Sequence, residues 1–75
     1  MSSTTSNAPR RFEFVGGSSD KFWELTVRGN EVIVRFGRIG TGGQTQTKSF
    51  PDGATAARHA EKLVRAKTKK GYQEV

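Results

Sequence analysis

Lys21-Phe22-Trp23-Glu24-Leu25-Thr26-Val27-Arg28-Gly29-Asn30-Glu31-Val32-Ile33-Val34-Arg35-Phe36 is the stretch on which the fold depends. Two alternating runs flank a Gly-Asn connection, and strands send successive side chains to opposite faces. Glycine suits the first position of a type II′ turn, so the two runs are predicted to form a hairpin. Pairing Arg28 with Glu31 sets Val27 against Val32, Leu25 against Val34 and Trp23 against Phe36. The other face then pairs Thr26 with Ile33 and Glu24 with Arg35. Apolar partners collect on one side and opposite charges meet on the other. A slip of one residue scrambles both sets.

Downstream, the second run continues as Arg35-Phe36-Gly37-Arg38-Ile39-Gly40-Thr41-Gly42-Gly43. Glycine reaches positive φ and lets another backbone or a phosphate come close. Arg38 beside this loop offers a planar fork of donors suited to an anion. Phe36 belongs by register to the apolar side, and its place at the strand's end gives it a second use, stacking on a base or sugar. The loop is no P-loop, because no lysine follows the glycines. It is no dinucleotide fingerprint either, since Gly40-x-Gly42 lacks a third glycine and leads into a strand. Two uses stay open: a tight strand connection, and a phosphate contact through loop amides and Arg38.

Gln44-Thr45-Gln46-Thr47-Lys48-Ser49-Phe50 is polar on both faces, as suits an edge strand. Pro51-Asp52-Gly53 ends it, and Asp52 is predicted to cap a helix over residues 54–69. Ala56, Ala57, Ala60, Leu63 and Val64 form the apolar stripe of that helix. Opposite lies a line of cations, Arg58, Lys62, Arg65 and Lys69, at spacings of four, three and four. Such a line is either a solvated face or a seat for a polyanion. Like charges four apart repel, and only Glu61 offers an i,i+4 partner, to Arg65. Lys67, Lys69 and Lys70 carry the charge past the helix end, where cations also favour the helix dipole. Gly71 is placed to stop the helix. Upstream, Arg11-Phe12-Glu13-Phe14-Val15 alternates as a further strand and ends at the turn cluster of residues 16–20. Residues 1–9, rich in Ser, Thr and Asn, read as a disordered tail, which leaves residues 10–75 as the domain.

Thirteen Lys and Arg against seven Asp and Glu give a net charge of +6 and a pI near 10.4. On so small a domain this is the electrostatic footprint of a nucleic-acid binder. With no cysteine and one histidine, His59, the chain offers neither a disulfide staple nor a metal site. No nucleophile stands beside His59, so no catalytic residue is assigned and no cofactor is expected. The N-terminus lacks the apolar core of a secretory signal, and no apolar run approaches the roughly 18 residues of a membrane span. A cytoplasmic protein that touches no membrane is the expectation. A monomer is expected too, although an exposed edge strand permits pairing with a second copy.

Phe36-Gly37-Arg38-Ile39-Gly40-Thr41 resembles the signature of the WGR domain, named for Trp-Gly-Arg and found in poly(ADP-ribose) polymerases and small bacterial proteins. The similarity extends to Lys21-Phe22-Trp23, Gly42-Gly43-Gln44, Phe50 and the segment from Ala54 to Tyr72. It implies an α+β fold: an antiparallel sheet of four or five strands with one C-terminal helix packed on it. In the polymerases the domain binds DNA near a strand break, its tryptophan stacking at the terminal nucleotide and its arginine bridging to neighbouring domains. Phe36 takes the aromatic position here, with a smaller ring and no indole N–H, and Arg38 takes the bridging or phosphate role. The resulting expectation is a non-catalytic module that binds nucleic acid, DNA rather than RNA. Its candidate contacts are Phe36, Gly37, Arg38, Gly40, Thr41, Lys48, Arg58, Lys62, Arg65, Lys69 and Lys70. The alternative is a module that docks onto a separate protein, such as a DNA-processing enzyme.

Overall fold

In the computed structural model, which describes residues 9–75, the central hairpin adopts the predicted register at every pair from Arg28–Glu31 to Trp23–Phe36. Gly29 supplies the positive φ, +60°, that the turn requires. The two strands, β2 (Ser19–Arg28) and β3 (Glu31–Arg38), run longer than the alternation alone suggests. Gly37 and Arg38 still pair, with Phe22 and Lys21, so the glycine loop begins only at Ile39.

Ahead of the hairpin lies β1 (Arg10–Gly16). Only Gly17 and Ser18 separate it from β2, because Ser19 and Asp20 pair with Gly16 and Val15. The predicted turn cluster is thus shortened to a two-residue connection. After the loop comes β4 (Gln44–Ser49), exposed at every residue and at the sheet's edge as expected. The C-terminal residues close the other edge as β5 (Gln73–Glu74), a strand the sequence left undecided. The antiparallel order is β4-β3-β2-β1-β5. Of the tail assigned to residues 1–9, residues 1–8 lie outside the described residues.

The helix α1 (Gly53–Lys69) covers one face of the sheet. Phe12, Trp23, Leu25 and Val32 from the strands meet Ala56 and Ala60 of α1 in the core. The alanines let the helix sit close. Leu63 and Val64 pack at the margin, whereas Ala57 is exposed and drops out of the predicted stripe. The Asp52 carboxylate accepts from the Thr55 N–H at 2.7 Å, and that bond holds its pKa below the usual carboxylate range. A folded-state pKa below the unfolded one gives stability that is full above the unfolded value and is lost as pH falls through the folded one. Asp52→Ala therefore lowers the melting temperature by about 5 °C at neutral pH. By calorimetry, the two proteins converge as pH falls below the usual carboxylate range. At the other end Gly71, at φ +110°, closes a Schellman cap: Gly71 donates to the Thr68 carbonyl and Tyr72 to that of Lys67.

The helix starts against the Gly29 turn, where a Cβ on Gly53 would stand 3.2 Å from the Gly29 oxygen. Asn30 pins this end through Phe50, donating from Nδ2 to its carbonyl at 2.7 Å and accepting its N–H at 2.8 Å. The helix therefore runs back along the hairpin and delivers its C-terminal lysines to the end where β3 runs into the glycine loop.

Candidate nucleic-acid interface

The loop from Ile39 to Gly43 is folded onto the sheet face away from α1. Strand alternation puts Phe22 on that face, yet Phe22 is only 1% exposed. The guanidinium groups of Arg11 and Arg35 lie over its ring, 4.6 and 5.2 Å from the centroid. Glu24 joins the two arginines, accepting from Arg11 at 2.7 Å and from Arg35 at 3.1 and 3.2 Å. Arg35 also donates to the Gly42 carbonyl at 3.2 Å and so ties the loop down. Glycine is needed here for packing. A Cβ on Gly37 would stand 2.8 Å from the Gly43 Cα, and one on Gly43, at φ +71°, would stand 2.8 Å from the Phe22 ring. A second, small core thus anchors the loop.

The hydrogen bonds of the loop leave a defined set of donors. Ile39 donates to the Asp20 carbonyl, and Thr41 spends both its N–H and its hydroxyl on the Arg38 carbonyl. Among the described residues, the N–H groups of Gly40, Gly42 and Gly43 donate to no backbone carbonyl. They can face solvent or an anion.

The acidic residues of β1, β2 and β3 share one face of the sheet with Arg11, Arg28 and Arg35. Alternation places Glu13, Asp20, Glu24 and Glu31 on the face away from the helix, and Lys21, Arg38 and Lys48 on the helix side. Among the described residues, ion pairs involve only Arg10, Arg11 and Arg35, so the other cations, every lysine included, have no carboxylate partner. At the loop end of the sheet Lys21 is the strand partner of Arg38. Lys67 and the helix C-cap residue Lys70 complete a group there. Burial lowers the Lys67 pKa first, and repulsion from Lys70 and Lys21 lowers it further. Its Nζ lies 5.6 Å from the Trp23 ring centroid and 5.1 Å from that of Tyr72, where cation–π attraction offsets part of that burial.

Phe36 is half-buried and packs against the core. It also lines an open groove of about 730 Å³ between α1 and the β3–β4 edge. The groove exists because α1 lies over β2 and β3 and leaves β4 uncovered.

The predicted contacts fall into three places. Phe36, Gly37, Arg38, Gly40 and Thr41 stand together at the loop end, with Lys69 and Lys70 arriving at the helix terminus. Arg58, Lys62 and Arg65 are exposed on α1, a line about 16 Å long from Arg58 to Lys69. Lys48 pairs with Val32, six residues back along β3 from Arg38 and so about 20 Å from it. The sequence reading missed Lys21 and Lys67. Extending the hairpin register by two pairs puts Lys21 opposite Arg38, and Lys67 continues the helical stripe four residues after Leu63.

Among the described residues there is no cluster of three or more His, Cys, Asp or Glu that could hold a metal ion. No helix among them is long and apolar enough to cross a membrane.

A family model described as "WGR domain" matches residues 8–75. The chain is 40% identical over 65 residues to the uncharacterized protein YfeS of Escherichia coli K12, a match covering 87% of this chain and 27% of that protein. Protein YehF of the same organism is 45% identical over 65 residues, covering 87% and 24%. A crystal structure of a Bacteroides fragilis protein superimposes with a TM-score of 0.89 at 48% identity, covering 91% of this chain and 19% of that one. The chain thus spans about a quarter of the curated relatives it matches.

Proposed function

The chain belongs to the WGR domain family, and from that premise we propose that it is a non-catalytic module that holds the phosphate backbone of DNA. One observation carries the proposal: Lys21, Arg38, Lys67 and Lys70 converge at the loop end of the sheet, and none of them is in an ion pair among the described residues. Packing mutually repelling cations together is unfavourable unless an anion offsets it. Helix, hairpin and glycine loop all end there, so the site is built on anchored elements. The free amides of Gly40, Gly42 and Gly43 add donors that carry no sequence preference. Phe36 presents an apolar side to the sugar or base beside a held phosphate. Arg38 acts here as a phosphate ligand, exposed and in no ion pair among the described residues. The preference for DNA over RNA rests on the resemblance to the polymerase modules.

Amide chemical shifts test the reading. Adding a short duplex should move Lys21, residues 38–43, Lys67 and Lys70, and leave the Gly29 turn unmoved. Silence at those residues with duplex, nicked duplex and single strand alike overturns it. Neutralising Arg58, at the far end of the helix line, should weaken binding by no more than about threefold, since a distant phosphate contact is screened within about 8–10 Å.

A further inference from the structure

The groove between α1 and β4 extends beyond the phosphate site and is mostly apolar. Its floor is Val32, Val34 and Phe36, its helix wall includes Leu63, and a lysine stands at each end. Lys48 faces Val32, and Lys67 lies by Trp23, the strand partner of Phe36. Four strand residues separate Val32 from Phe36, so the two ends are about 13 Å apart. No acidic side chain lines the groove.

We infer that this groove docks an acidic, extended peptide segment of a partner protein, with two carboxylates about four residues apart meeting Lys48 and Lys67 and apolar side chains between them. Charge complementarity selects this occupant. A nucleic-acid strand carries a phosphate every 3.4 Å or so of axial rise. Laid along the groove, it would set its middle charges against Val34 and Leu63 with nothing to neutralise them. A peptide places charge only at the two ends. Burying its apolar side chains on half-buried Val34, Phe36 and Leu63 is favourable in proportion to the area removed from water. Phe36 and Lys67 are common to both sites, whereas Lys48 belongs to the groove alone.

The probe is the capped peptide Glu-Leu-Val-Leu-Glu, titrated into the isotopically labelled full chain, beside an analogue with both glutamates replaced by glutamine. The acidic peptide should move the amides of Gln46, Lys48, Leu63 and Lys67. The glutamine analogue should bind about tenfold more weakly, the loss expected for charge-assisted contacts. Lys48→Gln, an exposed change that leaves the core intact, should weaken the acidic peptide by a similar factor and leave duplex affinity within twofold. Equal binding of both peptides, or no movement in the groove up to millimolar peptide, overturns the inference. So does a duplex that moves Lys48 and Gln46, which would give the groove to nucleic acid. A duplex that leaves Arg38 unmoved while the peptide response stays intact would instead sink the phosphate-site reading alone.

Discussion

Phe22→Ala is expected to remove about 3–5 kcal/mol of stability, the cost of emptying a fully buried aromatic site. A domain of this size has roughly 4–11 kcal/mol in total. Urea denaturation should therefore show a midpoint lowered by about 3–5 M, for a slope near 1 kcal/mol/M. The reason is local. Phe22 is 1% exposed on the face away from the helix, roofed by Arg11, Arg35 and the glycine loop. Its loss leaves the loop no ring to rest on. The loss also strips Arg11 and Arg35 of a cation–π partner. Val15 lies on the same face but is 70% exposed, so Val15→Ala should change stability by less than about 0.5 kcal/mol. Equal effects at the two positions would show that this face carries no second core.

Arg38→Ala should weaken duplex binding by about 1–3 kcal/mol, roughly 5- to 150-fold, without lowering the melting temperature. Arg38 is exposed and its side chain makes no ion pair among the described residues, so the fold does not depend on it. Arg28 is the control. It is also exposed and unpaired, yet it flanks the Gly29 turn at the opposite end of the hairpin. Arg28→Ala should change affinity by less than about twofold, because Debye screening removes contacts at that range. Fluorescence anisotropy with a labelled short duplex separates the two. Matching losses would mean that net charge alone drives binding, with no site at the loop.

The hairpin was legible because its turn chemistry and its alternation agree: Gly29-Asn30 allows one register, and that register gathers Trp23, Leu25, Val27, Val32, Val34 and Phe36 on one side. The cap at Asp52 and the stop at Gly71 were legible for the same reason, each being a residue type with one local geometry. Phe36 and Arg38 stood out from the strand's end and the glycine loop, and the family resemblance added their roles at a DNA end. What the sequence hid was the second face. Phe22 falls among polar neighbours in the alternation, and nothing local says that a loop 20 residues later returns to cover it. The glycine loop left two uses open, a tight strand connection and a phosphate contact, and Gly37 and Gly43 serve the first through backbone and ring contacts. The cation group was half visible. Arg38 and Lys70 stood out, but Lys21 and Lys67 join them only once the hairpin and helix ends meet in space.

Salt titration of duplex binding reads the proposed phosphate site most directly. Four neutralised phosphates give a slope of about −3 to −4 in log K against log salt. With Lys21, Arg38 and Lys70 all replaced by glutamine, the slope should fall to about −1 while the protein stays folded. A flat response in the unmodified protein, or a slope the triple replacement leaves untouched, would show that phosphates settle elsewhere or nowhere on this domain.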